Sequence, residues 1–553
     1  MKHSARKALS LILSLSALTA GTMSAGAASE APWIIVPTGQ SAAPFSEGFA
    51  PVGYYWRYLD RTGTELYPAE SGDYPTRGVN AFSEGLARVQ TTRNMPYSNF
   101  IDQNGNKLFP QDLRSAGEFS EGLAYATWDD FSGFIDPSGT PVFTLAEGLS
   151  LPQGTCFHEG LAVVANSDFT AYGYLDRTGT LALPLSSLAA GPFSGGLAAV
   201  KTADGLFGYI DHSGAFVIPP IYEQASTFSE SRAWVKWNGQ TGIIDEQGNF
   251  TPVVTEQTIS PFDPLYETCF LGEISQAVFL EGFSVVRQGA YYGLIDRSGT
   301  YVIPPSFTEM GNIREGLFAG CKDGQWGLYD TTGTLVFAWD SIDSEQSQGS
   351  TSCLAAPSEG LFAAAVETDA DRLFGYLRSP LYQPSVWAEP EIEAAFLEGL
   401  VPHEINYHLQ QGITRREFCV LLSETITELH ITAFLPAPAD TFCDTDDQAV
   451  RILASLGIVD GVGDGAFAPD ATLTREQAAT ILVRAADFLE LSYELGDLSI
   501  YTDAGEISEY AKPYVGALRS LSIMGGGDGI FAPKQALTRE QAILTAYRLF
   551  NSV

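Results

Sequence analysis

The chain of 553 residues is short of positive charge. Lysine and arginine number 30 against 66 aspartates and glutamates, a formal net charge of −36. A polyanionic partner, whether a nucleic-acid backbone or an anionic lipid surface, would be repelled. Histidine is scarce, at six residues, and no Gly-x-Ser-x-Gly, His-Glu-x-x-His or Cys-His constellation is present. The familiar hydrolytic machineries are therefore not written in the chain. Six cysteines (156, 269, 321, 353, 419 and 443) form no Cys-x-x-Cys pair and no regular framework, which argues against a metal site and a disulfide scaffold. Cys419 and Cys443 are the closest in sequence and the best candidates for pairing, ahead of which stands the reading of free thiols. Past the first residues no run of 18 apolar residues occurs, so no integral membrane span is expected.

The N-terminus reads as an export address. Lys2, Arg6 and Lys7 precede the apolar run Ala8 to Ala20, and Ala25-Gly26-Ala27 offers small residues for cleavage. Residues 1–27 are expected to be a signal peptide. The whole chain is 45% hydrophobic and only 17% charged, with Gly 55, Tyr 24 and Phe 33. That composition folds, and it suits short strands joined by tight turns. The length exceeds a single ordinary core, so several domains are expected.

A phrase recurs through the first two-thirds. Phe45-Ser46-Glu47-Gly48 returns at Phe82, Phe119, Phe157 and Phe193, then more worn at Phe228, Glu281-Gly282, Glu315-Gly316 and Glu359-Gly360. The first eight are followed by an aromatic or aliphatic pair and an aspartate, as in Tyr58-Leu59-Asp60 and Tyr209-Ile210-Asp211, and a worn ninth by Phe374-Gly375-Tyr376-Leu377. The steps are 37, 37, 38, 36, 35, 51, 34 and 44 residues. A period of this size means a stacked or radial repeat. Within one unit, Leu161-Ala162-Val163-Val164 and Tyr172-Gly173-Tyr174-Leu175 read as strands. Asp176-Arg177-Thr178-Gly179 reads as the turn after the second, and the third strand that follows, as in Phe216-Val217-Ile218, ends at Pro219-Pro220. The aspartates and the Glu of Glu-Gly recur once per unit, which marks them as structural rather than as paired catalytic acids. His158 and His212 occur in single copies and are expected in the core or at the surface. The motif resembles the WG-repeat family, with Trp326-Gly327 the full form and Tyr172-Gly173, Phe207-Gly208, Tyr292-Gly293 and Phe374-Gly375 relaxed forms. The resemblance implies, over residues 45–378, an all-β array of antiparallel meander repeats, about nine of them, propeller-like or superhelical. It implies a binding or structural module whose protein or glycan ligand is unknown. The steps of 51 and 44, read as loop insertions at Thr255 to Glu273 and Asp340 to Ser352, weigh against perfect radial closure.

After a linker at 379–382 the periodicity becomes helical. An anchor recurs as Thr414-Arg415, Thr474-Arg475 and Thr538-Arg539, 60 and 64 residues apart. Thr is an N-cap, and the acid or amide three residues on completes a capping box. An arginine in a first helical turn is opposed by the macrodipole, so it is expected to have a task. Glycine loops at Gly463-Asp464-Gly465 and Gly527-Asp528-Gly529 precede two anchors; they lack the oxygen ligands of a calcium loop. This constellation is similar to the surface-layer homology (SLH) domain in three copies, at 383–431 (degenerate), 440–496 and 499–553. The resemblance implies an α-helical pseudo-threefold assembly whose grooves hold secondary cell-wall polysaccharide, often bearing ketal-linked pyruvate. On that reading Arg415, Arg475 and Arg539 offer guanidinium forks, Gly465 and Gly529 lie in amide-rich loops, Trp387 and Tyr510 stack on sugars, and Asp444 and Asp503 accept hydroxyls. The competing reading pairs the arginines with those aspartates in a purely structural role. Copy two places Thr445 at the Trp387 spacing. No cofactor is expected. The chain is expected to be a non-catalytic cell-surface protein of a bacterium; an anchored hydrolase and a surface-layer lattice component are the rival readings.

Overall fold

The computed structural model describes residues 33–39, 42–52, 57–66, 80–90, 97–110, 112–152, 154–255, 278–338, 355–367, 372–430, 434–438 and 440–553. The expected signal peptide, both loop insertions, Cys269 and Cys353 lie largely or wholly outside them. Many small antiparallel sheets fill the N-terminal part and a few helices the C-terminal part. Among the described residues the sheets number nine, and most are meanders of neighbours in sequence; one joins the two ends of the array, and in another Leu149–Ser150 and Phe157–His158 both pair with Leu161–Asn166.

One repeat shows why the unit forms. Strands Gln224–Ala225, Ala233–Trp237, Gln240–Ile244 and Phe250–Pro252 pair in that order. The last hairpin turns on Asp245, whose Oδ1 accepts the backbone N–H of Gln247 and of Asn249. All eight turn aspartates, from Asp60 to Asp330, accept the same i+2 and i+4 amides. The acid is thus fixed by backbone geometry, as its recurrence implied.

The expected proline stop is not observed. The strand Phe216–Tyr222 runs through Pro219 and Pro220, with shifts of register against Phe207–Ile210. A bulge on an edge strand needs no donor at those positions, so proline is tolerated. The bulge also explains the glycine of the motif. A Cβ on Gly208 would stand 2.7 Å from Pro220 N, and one on Gly173 would stand 2.5 Å from the Leu183 carbonyl oxygen.

Repeats are joined by two devices. The aromatic before each Ile-Asp or Leu-Asp packs on the phenylalanine of the next Phe-Ser-Glu-Gly. Tyr58–Phe82, Phe100–Phe119, Phe134–Phe157, Tyr174–Phe193 and Tyr209–Phe228 have centroids 4.8–5.0 Å apart. Such edge-on pairs add to plain burial. The second device is the repeated glutamate. Glu47, Glu84, Glu121 and Glu159 each accept the N–H of the glycine one repeat on: Gly85, Gly122, Gly160 and Gly196. Glu230, Glu281 and Glu315 do the same for Gly282, Gly316 and Gly360. These glutamates sit at φ of +46° to +54°. That left-handed backbone is unfavourable for a residue with a side chain and persists because the bond holds it.

The cycle closes, which corrects the expectation drawn from the irregular steps. Gly48 N–H donates to Glu359 at 3.0 Å, Tyr376 packs on Phe45 at 4.9 Å, and Phe45 N–H donates to Ser358 Oγ at 2.7 Å. The strand Trp33–Gly39, ahead of the first motif, pairs with Arg372–Arg378 of the last repeat. Long insertions between repeats leave closure intact because the links are carried by the repeated residues, not by the loops.

Residues 379–382 form a packed joint. Tyr382 is buried, lies where a Cβ on Gly360 would be, and donates its hydroxyl to Glu393 at 3.1 Å. The helical part then supplies three pairs of helices: Glu389–Leu397 with Arg415–His430, Gln448–Ser455 with Arg475–Phe488, and Lys512–Ser520 with Arg539–Phe550. Their anchors meet in a three-membered backbone cycle. Ile413 N–H donates to Leu537, Leu537 to Leu473, and Leu473 to Ile413, at 2.8–2.9 Å. All three residues are fully buried. Reciprocal capping bonds are present at Thr414/Glu417, Thr474/Gln477 and Thr538/Gln541, as the spacing predicts. Cys419 is buried and Cys443 exposed; both are free thiols, so the candidate pair is not a disulfide. No helix among the described residues is long and apolar enough to cross a membrane.

Candidate functional site

The three anchor arginines point into the neighbouring copy. Arg475 donates from Nε to the Phe531 carbonyl, from Nη2 to the Gly525 carbonyl and from Nη1 to Gln541 Oε1, at 2.7–3.1 Å. Arg415 donates to the carbonyls of Phe467 and Asp460. Arg539 donates to the Tyr407 carbonyl and pairs with Glu417 at 2.6 Å. Each guanidinium also lies over an aromatic ring, Phe467, Phe531 or Tyr407, at 4.4–5.1 Å. These are tasks that overcome the helix macrodipole. They are met within the protein, by backbone carbonyls and by the side chains of Gln541 and Glu417, and the Arg–Asp pairing of the competing reading does not occur.

Asp444 and Asp503 brace the same peptides from the other side. Asp444 accepts the N–H of Phe467 and Ala468, and Asp503 that of Phe531 and Ala532, at 2.6–2.9 Å. The Phe467 amide holds the Asp444 carboxyl below its ordinary value. Each phenylalanine peptide is clamped between an aspartate of its own copy and an arginine of the copy before. Gly465 and Gly529 lie in the supporting turn at φ of +75° and +74°, and their carbonyls accept the Cys443 and Thr502 amides. Those two carbonyls are thus engaged within their own copies.

Trp387 and Tyr510 are different. They remain 58% and 52% exposed on a helical part whose other large side chains are mostly buried. Each lies two residues after a serine that bonds a glutamate following an anchor arginine. Glu476 accepts Ser508 N–H and Oγ–H at 3.0 Å, the Tyr510 hydroxyl at 3.3 Å, and the Lys534 ammonium. Burial raises this carboxyl, but the bonds from Lys534 and Ser508 outweigh it and hold it below the usual value. Glu540 accepts Ser385 N–H and Oγ–H at 3.0 and 2.9 Å, with Gln410 Nε2 at 3.4 Å. Two equivalent clusters result, one between copies two and three and one between copies three and one, and the clefts they border are termed grooves. Ser385, Gln410, Glu476, Ser508, Lys534 and Glu540 were not singled out from sequence. The Glu that follows Arg in two of three anchors was the signal available.

The third groove, between copies one and two, departs from this pattern. Arg416 takes the place of the glutamate, and Asp470 the place of Lys534 and Gln410. Asp447 is the N-cap of its helix, so Asp446, not Thr445, matches Trp387 and Tyr510. Only two residues separate Asp444 from that cap, against seven between Asp503 and Ala511.

Family profiles match both parts of the chain. The WG containing repeat is matched at residues 172–205, 207–240 and 292–326, and the S-layer homology domain at 446–479 and 500–543. The chain is an S-layer homology domain protein with an N-terminal array of WG containing repeats.

Among curated relatives, this S-layer homology protein is 30% identical to an endoglucanase of Bacillus sp. (strain KSM-635), over 28% of the chain and 17% of that protein. It is 26% identical to the Surface-layer 125 kDa protein of Lysinibacillus sphaericus, over 34% of the chain and 15% of that protein. It thus spans well under two thirds of these relatives. A solved eukaryotic initiation factor aligns over 57% of the chain and 90% of its own at 13% identity and a TM-score of 0.36, so the fold rests on the pairing above and not on that likeness. The S-layer homology domains and the surface-layer relative point to a place on the bacterial cell surface and to cell-wall anchoring.

Proposed function

We propose that this is an exported, non-catalytic protein held without covalent bonds on secondary cell-wall polysaccharide, with its repeat array displayed as an interaction surface. The observation that carries the reading is the pair of equivalent grooves, each with an exposed aromatic beside a Glu-Ser cluster. A sugar ring stacks on Trp387 or Tyr510, its hydroxyls bond the cluster, and Lys534 supplies a cation for an acidic substituent such as pyruvate. The arginines act one step back, by fixing the copies against each other. The array is read as a nine-bladed propeller rather than a superhelix, supported by its cyclic bonds from Glu47 round to Glu359.

The test is co-sedimentation of the full chain with isolated wall sacculi. The protein is expected in the pellet, and in the supernatant once the secondary polymer is stripped. Trp387→Ala with Tyr510→Ala is expected to abolish pelleting while circular dichroism stays unchanged. Unaltered pelleting by that variant sinks the groove reading. The rival hydrolase reading draws on relatives named as an endoglucanase and an amylopullulanase, the latter from Thermoanaerobacterium thermosulfurigenes and matched over 30% of this chain. Release of reducing ends from wall glycan by the purified chain would favour it.

A further inference from the structure

The third groove faces the array. A cavity of about 360 Å³ lies between the helices Arg415–His430 and Gln448–Ser455 on one side and Glu230, Leu280, Glu281, Ile313 and Arg314 of the repeats on the other. Here the acidic cycle carries its one substitution. The fifth repeat has Gly195 where the others have glutamate, and Glu246 reaches to 3.2 Å of where a Gly195 Cβ would stand. Glu246 follows a turn aspartate, a position where other repeats hold Arg61, Gln103, Arg177 and His212, each of which contacts a ring glutamate. Acid and partner have changed places, and the cation now comes from the helical part.

Arg451, 2% exposed, donates to Glu246 at 2.7 Å, with both side chains buried. Arg232 of the repeats pairs with Asp446 at 2.8 Å, and Ser231 Oγ–H donates to the Asp446 carbonyl. Asp446 is the residue that stands where the grooves elsewhere carry Trp387 and Tyr510. Arg416, in the place of the groove glutamates, is occupied by Glu404 and Asp447. The shortened approach to the copy-two helix removes the serine and the aromatic and leaves room for the ring.

We propose that the groove between copies one and two is an internal docking surface for the acidic face of the repeat ring, so the chain offers wall polymer two grooves and not three. This rests on the polymer-binding reading above for its valence, but the docking itself is tested without polymer. Reversing one member of the part-buried Arg232–Asp446 pair sets like charges against each other, and a swap restores the attraction. In hydrogen exchange on the full chain, amides of Gln448–Ser455 are expected to be protected. Arg232→Asp alone is expected to raise their exchange at least about tenfold, and Arg232→Asp with Asp446→Arg to restore it, on the scale where 1.4 kcal/mol is tenfold. Fast exchange of this helix in the unaltered chain, or a swap that rescues nothing, overturns the docking.

Valence is read by calorimetry with a purified wall-polymer fragment. Two equivalents per chain are expected, one in Trp387→Ala, one in Tyr510→Ala and none in the double variant. A third equivalent that survives the double variant overturns the proposal. Absence of any binding by the unaltered chain would overturn the polymer-binding reading and the count of two grooves, while the exchange result still decides whether the third groove is occupied.

Discussion

The two parts of this chain solve one problem with different bonds. Nine β repeats and three helical copies each close into a cycle, and each copy leans on the next. In the repeats the fastener is a side chain: a glutamate that crosses to the next repeat's glycine amide. In the helical trio it is the backbone itself, through Ile413, Leu473 and Leu537. A side-chain fastener can be lost and replaced one copy at a time, as at Gly195 and Glu246. A backbone fastener survives substitution, so variation moves to the grooves. The two parts then meet where each departs from its own pattern, Glu246 against Arg451 and Asp446 against Arg232.

The comparison can be broken most strongly by pH. Burial pushes Glu84, Glu159, Glu281 and Glu359 of the ring up to about 7, as it does Glu404 at the docking surface. The folded state keeps these protons in a range where the unfolded chain, with ordinary carboxyls, has lost them. Their contribution to stability is therefore full below about pH 4.5 and falls as pH rises through 7. Hydrogen exchange at pH 5 and pH 8 is expected to show the repeat strands loosening before the helices Arg475–Phe488 and Arg539–Phe550. Equal loosening would mean that the fasteners do not differ in kind.

Single substitutions follow in order of size. Trp234→Ala, at the largest fully buried side chain, is expected to cost about 3–5 kcal/mol in chemical denaturation. Arg451→Ala leaves Glu246 buried without its cation and is expected to cost about 3 kcal/mol, against near neutrality if the two parts do not touch. Glu359→Ala removes the link that closes the ring and leaves the Gly48 amide unpaired, at about 1–3 kcal/mol. The same change at Glu84, away from the closure, measures whether the closing link differs from an internal one. Thr474→Ala should cost only about 1 kcal/mol, as the loss of one helix cap.

Much of the local structure was legible. The aspartate turns, the capping boxes and the structural role of the repeated glutamates follow from residue types a few positions apart. The proline stop was misread, because the bulge that excuses Pro219 and Pro220 is made with a neighbouring strand. The arginines were legible as residues with a task, but not the task. Most of their partners are backbone carbonyls, such as those of Phe531 and Gly525, which carry no sequence signature.

What the sequence determined by itself is the unit: a hairpin closed by an aspartate, a helix opened by a threonine, and the number of times each is repeated. These depend on hydrogen bonds that span five residues or fewer, so the residues that make them must be neighbours in the chain. What only the tertiary structure decided is that the ring closes, that Gly48 finds Glu359 and that Arg451 finds Glu246 across 205 positions. A carboxylate buried far along the chain accepts any amide or cation that packing brings to it, and packing is a property of all the repeats at once.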